Sequence, residues 1–568
     1  MKKIIVFLLL ALSLISFVSC HDNESDGDSG SQSVSPSEIP SDEMFTDRDT
    51  DSEYSEDECI TINLLGETAK SSSDSVQISG GKIIIKEDAS YIVNGELTDG
   101  MIIVNAPETA KPRIILNGAS ISSSSSPIYV FSCDKLFLTL ASETKNVLKT
   151  AETFEQIDNS NLDSAIFSKS DITINGSGSL KITSSGHGIS AKDDLVISGG
   201  DIDINAKSHA IQANDSARFT EATLKLVSQK DGIHVENSES AERGFAYIEN
   251  GSFDITSALD GISASLNIQI NGGNIKIVSG GGSSASISSS VSAKGIKAAS
   301  DLLIKGGSFN ISSADDALHS NTNLFVSGGS FEISSGDDAF HADESLSISG
   351  GDASITKCYE GLEALNIVIS GGKYEMVCSD DGINAAGGND SSGFGGNFGN
   401  DMFGGGMGGG RPGRPGGMGG GMGGTSSNGS IVISGGVIYI NSSGDGIDAN
   451  GTFEMRGGQV TVVGPTVGDT ATLDYDVSGT ITGGTFIGTG ASGMAQTFSS
   501  SEQGVISLSV GTRSAGTLIT LKDQDGNLIV SHTPELPFSV VIISTPDMES
   551  GKIYDITVGD DLGSFQAN

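Results

Sequence analysis

Tryptophan is absent from this chain of 568 residues, and aromatic side chains make up only 5% of it, which leaves little material for a platform of stacked rings. Five cysteines are too few for disulfides to build a fold of this length. Basic residues are scarce as well, 31 Lys and Arg against 72 Asp and Glu, for a formal charge of −41. Nucleic acid is excluded as a partner on that ground, because neutralising phosphates takes a basic surface. No face of apolar residues at i, i+3, i+4 and i+7 runs through the chain as a helical repeat requires, and the nine-residue Gly-rich calcium repeat of β-rolls is missing too.

What is present is one short phrase, repeated ten times: HGISA (187–191), HAIQA (209–213), DGIHV (231–235), DGISA (260–264), KGIKA (294–298), DALHS (316–320), DAFHA (338–342), EGLEA (360–364), DGINA (381–385) and DGIDA (445–449). Successive copies start 22, 22, 29, 34, 22, 22, 22, 21 and 64 residues apart, and such a period marks a solenoid. Between the copies, alternating apolar stretches lead into paired glycines, as in LVISGG (195–200), LLIKGG (302–307), LFVSGG (324–329), LSISGG (346–351) and IVISGG (431–436). Alternation at period two is a strand signal and paired glycines make corners. Each unit therefore holds two or three short strands, one coil of an all-β, right-handed parallel β-helix.

Stacking turns the repeat into rows in space, with equivalent residues of neighbouring coils about 4.8 Å apart. The residue opening each phrase forms a ladder: His187, His209, Asp231, Asp260, Lys294, Asp316, Asp338, Glu360, Asp381, Asp445. Beside it stand Asp315, Asp337 and Asp380, which double the acid in three coils, and the outward position of the phrase adds a third row with His234, Lys297, His319, His341, Glu363, Asn384 and Asp448. Unpaired carboxylates at such spacing repel by roughly 3 kcal/mol per pair at an effective dielectric near 20, so a cation is expected between them. Calcium suits the spacing, since it takes six to eight oxygens at about 2.3–2.6 Å, and the shorter octahedral shell of magnesium suits it less. The expected ligands are Asp231, Asp260, Asp315, Asp316, Asp337, Asp338, Glu360, Glu363, Asp380, Asp381, Asp445 and Asp448. Two alternatives stay open. A nitrogen-seeking metal could use His319 and His341. Asp before Gly also makes corners by accepting backbone N–H bonds, which accounts for Asp231 and Asp260 but not for the doubled acids.

DDALHS, DDAFHA, EGLEA and DDGINA on successive coils, the Gly/Met-rich insertion before GSIVISGG, and the GMAQ segment at 493–496 resemble a family of bacterial calcium-binding, carbohydrate-binding β-helix proteins, similar in fold to family-nine pectate lyases. The resemblance covers roughly residues 60–568. It implies a secreted β-helix that carries several calcium ions on its coils and binds plant cell-wall polysaccharide, above all acidic polygalacturonate-like chains, with cellulose as a further candidate. KGIKA departs from the acidic pattern, as do His187 and His209. A calcium-dependent lyase would need a base to take the C5 proton of a uronate, and Lys294 and Lys297 are the basic residues at ladder positions among the acidic coils; charge balance within the anionic rows is the competing account. A structural surface adhesin is the third reading.

Residues 1–19 carry a basic start and an apolar core and are expected to be a signal peptide. Phe17-Val18-Ser19-Cys20 resembles a lipobox, which predicts lipid attachment at Cys20, an extracellular location and membrane contact through that anchor alone. Residues 21–58 hold fourteen Asp and Glu against one Arg, so 20–58 is expected to be a disordered, self-repelling tether. Residues 60–165 are expected to form less regular first coils and a cap, 166–488 the regular coils with an insertion at 387–428, and 505–568 a small β-sandwich-like cap over the open end. Cys358 and Cys378 fall about one period apart and are expected to stack as buried thiols or to bridge.

Overall fold

Apolar residues alternate with polar ones along short strands, and burying them winds the chain into coils of three strands, in a computed structural model that describes residues 35–288, 290–386, 428–468 and 470–568. The expected signal peptide, Cys20 and all but the last residue of the insertion 387–428 lie outside the described residues. One coil consists of His187–Ala191, Asp194–Ile197 and Asp201–Ala206, and these pair in parallel with Ile211–Ala213, Ser216–Phe219 and Thr223–Ser228 of the next. Repetition yields three parallel sheets, called first, second and third in chain order, and the expectation of a parallel β-helix holds.

Inside, like residues stack on like. Ile189, Ile211, Ile233, Ile262, Ile296, Leu318, Phe340, Leu362, Ile383 and Ile447 are in register along the first sheet and are all fully buried. Each contributes about 1.5–3 kcal/mol by burial, and a slip of one residue would turn the whole row to solvent, so hydrophobicity sets the register. At the corner between second and third sheets, a Cβ on Gly350 would fall 2.4 Å from the Ser327 carbonyl oxygen, and Gly351 has φ +86°, which is why paired glycines recur there.

Both ends of the sheets are covered. Ile60–Gly66 pairs with Ser90–Leu97 on one side and with Ala69–Ser71 on the other. At the far end Phe538–Ser544 pairs antiparallel with Thr485–Gly490, the last strand of the third sheet, and with Val505–Arg513. A four-stranded antiparallel sheet, Leu528–His532, Ile519–Lys522, Ile553–Val558 and Asp561–Gln566, packs against them through Ile487, Ile506, Leu521, Val541 and Ile556.

The acidic segment before residue 59 corrects the expectation of a free tether. Residues 35–58 lie along the outer face of the second sheet. Asp49, 1% exposed, forms an ion pair with Lys135 at 2.6 Å and accepts a hydrogen bond from Thr173, while Asn175 donates to the Asp49 and Asp51 carbonyls at 3.2 Å each. Arg113 donates to the carbonyls of Asp51 and Glu53, Arg218 to that of Met44, and Arg48 stacks 4.3 Å from the Phe137 ring centre. Composition does not reveal this order, because the segment docks by main-chain carbonyls and a few ion pairs on cations of the solenoid, a route that needs no apolar core of its own.

Cys358 and Cys378 are register partners with sulfurs 3.3 Å apart, both buried and both thiols, and the bond to the Cys378 sulfur followed by burial raises the Cys358 pKa.

Candidate functional site

The outer side of the first sheet gathers the charged rows. Register pairs align Ser190, Gln212, His234, Ser263, Lys297, His319, His341, Glu363, Asn384, Asp448 and then Asp474. The opening residues of the phrases form their own ladder, with the carbonyls of Asp231, Asp260, Lys294, Asp316, Asp338, Glu360, Asp381 and Asp445 each accepting a backbone N–H of the preceding coil. Their side chains also serve the corner: Asp231, Asp260, Asp316 and Asp338 accept the N–H of Asp260, Lys294, Asp338 and Glu360 at 3.0, 2.7, 3.0 and 3.1 Å through Oδ1. One oxygen of each carboxylate is thus fixed by the corner.

From 209 to 341, Asp231, Asp316 and Asp338 turn their second oxygen to a basic side chain, whereas Asp260 is raised to about 6 by burial and the Asp231 charge. Asp231 Oδ2 lies 3.3 Å from His209 Nδ1 and 2.7 Å from His234 Nδ1, and His234 Nε2 lies 2.8 Å from Glu236. Burial opposes the charge on His234, but the bonds to Asp231 and Glu236 outweigh it and raise its pKa to about 9. Lys294 is fully buried, with Nζ 3.2 Å from Asp315 and 2.8 Å from Asp316. Against the cost of burial, Lys294 and then the His319 bond hold Asp316 well below the usual carboxylate range. Burial and the Lys294 charge push His319 down to about 3, so it stays neutral. His341 Nδ1 meets Glu363 at 2.7 Å and Asp338 at 3.2 Å; burial opposes its charge, these acids and Asp343 override it, and its pKa is raised. Lys297, 4% exposed, stands in the outward row between Ser263 and His319. Three further arrangements bring donor atoms within 4.8 Å of one another: Asp316, His319 and His341; Asp338, His341 and Glu363; and Asp315, Asp316 and Asp337.

Past Glu363 these rows hold no Lys, Arg or His among the described residues. Glu360 is pushed to about 8 by burial and the Glu363 charge, Asp381 to about 7 by burial and Asp445, and Asp448 to about 6 by burial and Asp445. Asp380 Oδ1 and Asp381 Oδ1 converge over Gly444, where a Cβ would fall 2.2 and 2.3 Å from them. Asn384, 7% exposed, donates to Glu360 at 2.9 Å while its own Oδ1 is buried without a hydrogen-bond partner. Orphaned amide oxygen, convergent carboxylates and an all-oxygen donor set fit calcium here; on the earlier coils Asp231, Asp316 and Asp338 already have basic partners.

Two participants were missed from the sequence. Asn384 was placed in its row but not among the ligands, and Asp474 extends the row although it lacks the repeated phrase. Leu473, fully buried, takes the apolar position there, and Gln496 of the GMAQ segment donates to Asp474. An apolar-acid pair continuing the inward-outward alternation was the available signal.

The His234 geometry predicts a pH dependence. Its folded pKa of about 9 lies above the usual value near 6.5, so its stabilisation is complete below about pH 6.5 and is lost as pH rises through 9. The denaturation midpoint is expected to fall between pH 7 and pH 10, and His234→Asn to flatten that fall; parallel profiles for the two proteins would assign the alkaline loss elsewhere.

Residues 79–339 match the family model described as carbohydrate-binding domain-containing protein. A protein of that description from Acetivibrio thermocellus is 29% identical over 212 residues, 37% of this chain and 74% of the relative, so the two are homologous over that stretch. A solved structure described as the polysaccharide lyase-like protein from C. thermocellum, a gadolinium derivative, is 29% identical with a TM-score of 0.38, covering 39% of this chain and 92% of that one.

Proposed function

We propose that this chain is an extracellular polysaccharide-binding β-helix that takes calcium on its C-terminal acidic coils and holds acidic, polygalacturonate-like glycans there, with cellulosic chains as the second ligand class. The observation that carries this reading is the set Glu360, Asp380, Asp381, Asn384, Asp445 and Asp448, an all-oxygen cluster in which burial and then neighbouring acids raise Glu360 to about 8, Asp381 to about 7 and Asp448 to about 6, and in which the buried Asn384 Oδ1 has no hydrogen-bond partner. Calcium bound there would supply positive charge on an anionic surface and an electrophile toward uronate carboxylates and sugar hydroxyls. The homologous carbohydrate-binding protein supports a glycan partner. The leader and lipobox-like residues support export and a lipid anchor at Cys20.

Binding is favoured over lyase chemistry by the placement of the two basic candidates. Lys294 is fully buried in ion pairs with Asp315 and Asp316, and Lys297 is 4% exposed, so neither presents an amine to a polysaccharide outside the sheet. Isothermal titration against polygalacturonate is expected to give at least about tenfold tighter binding with calcium than with EGTA, roughly 1.4 kcal/mol, without release of unsaturated products. Equal affinities in the two conditions would sink the calcium-bridged reading.

A further inference from the structure

Nearer the N-terminus the same face of the first sheet changes character. Phe131, Lys169, Lys192, Asn214 and Glu236 follow one another on successive coils, in a row set by backbone bonds from Lys169 N to Val130 O at 3.0 Å, Lys192 N to Ser168 O at 2.8 Å, Asn214 N to Ala191 O at 3.0 Å and Glu236 N to Ala213 O at 3.0 Å. Phe131 is 40% exposed, and Lys169 Nζ stands 4.4 Å from its ring centre. Lys192 Nζ stands 5.5 Å from the Phe167 ring, which packs edge-on to Tyr129. Neither ammonium forms an ion pair among the described residues, in a chain where acids outnumber bases 72 to 31. An aromatic face positions an ammonium but leaves its charge available to an anion.

A cleft of about 820 Å³ opens beside this row, lined by Lys192, Asp193, Gln212, Asn214 and Asp215 and walled by the segment 236–243. That wall is the insertion that stretches one repeat to 29 residues, and it is braced. Asn237 Oδ1 accepts from the N–H groups of Glu239 and Ser240 at 2.9 Å each, Asn237 Nδ2 donates to Asp215 Oδ1 at 2.7 Å, and Arg243 pairs with the same Asp215, which is 8% exposed. Glu236 is balanced by His234 and Asp215 by Arg243, while Asp193, Glu239 and Glu242 leave carboxylates on the cleft lining that accept from sugar hydroxyls rather than meet a uronate.

The geometry points to a second glycan site here, one that needs no metal: an acidic oligosaccharide lies along the coils with uronate carboxylates on Lys169 and Lys192, about 4.8 Å apart by strand spacing, and ring hydroxyls on the Gln212 and Asn214 amides in the cleft. It rests on the reading that this protein binds acidic glycans and adds where they bind without calcium. The cleft falls within residues 79–339, the stretch matched by the carbohydrate-binding model, whereas the acidic coils from 360 to 448 fall outside it.

The test titrates a short oligogalacturonate into the full chain in EGTA, with a cello-oligosaccharide of equal length as the neutral control. Binding is expected for the acidic chain, with at least a tenfold loss in Lys169→Ala/Lys192→Ala and retention in Lys169→Arg/Lys192→Arg. The single lysine variants, each with a thermal melt matching the parent, carry the same comparison where the double Ala variant folds poorly. Binding that appears only with calcium overturns this site and leaves the calcium-bridged reading standing. Unchanged affinity in the Ala variants, or equal affinity for the neutral chain, overturns it as well, and absence of binding in both conditions sinks both readings.

Discussion

Replacing Lys294 by Met is expected to destabilise the solenoid by about 3–5 kcal/mol, the usual cost of stripping one partner from a buried ion pair. Lys294 has no exposed surface, and its ammonium lies 3.2 and 2.8 Å from two carboxylates that are 2% and 0% exposed. Without it Asp315 and Asp316 share a dry environment, and one of them must take a proton or recruit a cation. Denaturant unfolding followed by far-ultraviolet dichroism gives the loss, and Asp316→Asn in the Met background should recover part of it. A second consequence distinguishes charge balance from simple packing: the variant should gain a stabilising response to calcium, because its coil then resembles those at 381 and 445. A loss under about 1 kcal/mol with no calcium response would show that Lys294 is not the counter-charge of this ladder.

Saturating calcium is expected to stabilise the wild type by about 2.7 kcal/mol at a hundredfold excess over the dissociation constant, since a ligand held only by the folded chain stabilises by mass action. Asp381→Asn/Asp448→Asn should abolish that increment. In EGTA the same variant should unfold no earlier than the wild type, because it removes two buried carboxylates that burial and then the neighbouring acids raise to about 7 and about 6. Loss of stability in EGTA together with an intact calcium increment would place the ion elsewhere. Asp338 and Glu363 make the informative contrast. They belong to the same rows, but His341 lies 3.2 and 2.7 Å from them, so their replacement should disturb charge balance more than metal content.

Much of this was legible in the chain itself. A period of about 22 residues, alternation at two and paired glycines lead to a parallel β-helix, and stacking then aligns His234, Lys297, His319, His341, Glu363, Asn384 and Asp448 without further information. These are consequences of local rules, because register follows from burying one apolar residue per rung. The acidic segment 35–58 was not legible. Its composition is that of a solvated coil, and its order comes from Arg48 over the Phe137 ring, Asp49 paired with Lys135, and main-chain carbonyls accepting from Arg113 and Arg218, partners between 60 and 174 residues away.

The sequence by itself therefore determined the architecture and the rows of charge, since both follow from a repeat and the spacing of strands. Which carboxylates already have a partner was decided only by tertiary structure, because that depends on side-chain reach and burial across coils. Asp316 and Asp381 hold equivalent places in the repeat, yet one faces a fully buried Lys294 at 2.8 Å and the other faces Asp445 and Asp448. Likewise nothing in the phrase around Lys169 or Lys192 marks a binding surface. Their placement over Phe131 and Phe167, beside a cleft walled by a seven-residue lengthening of a later coil, arises from stacking segments distant in the chain.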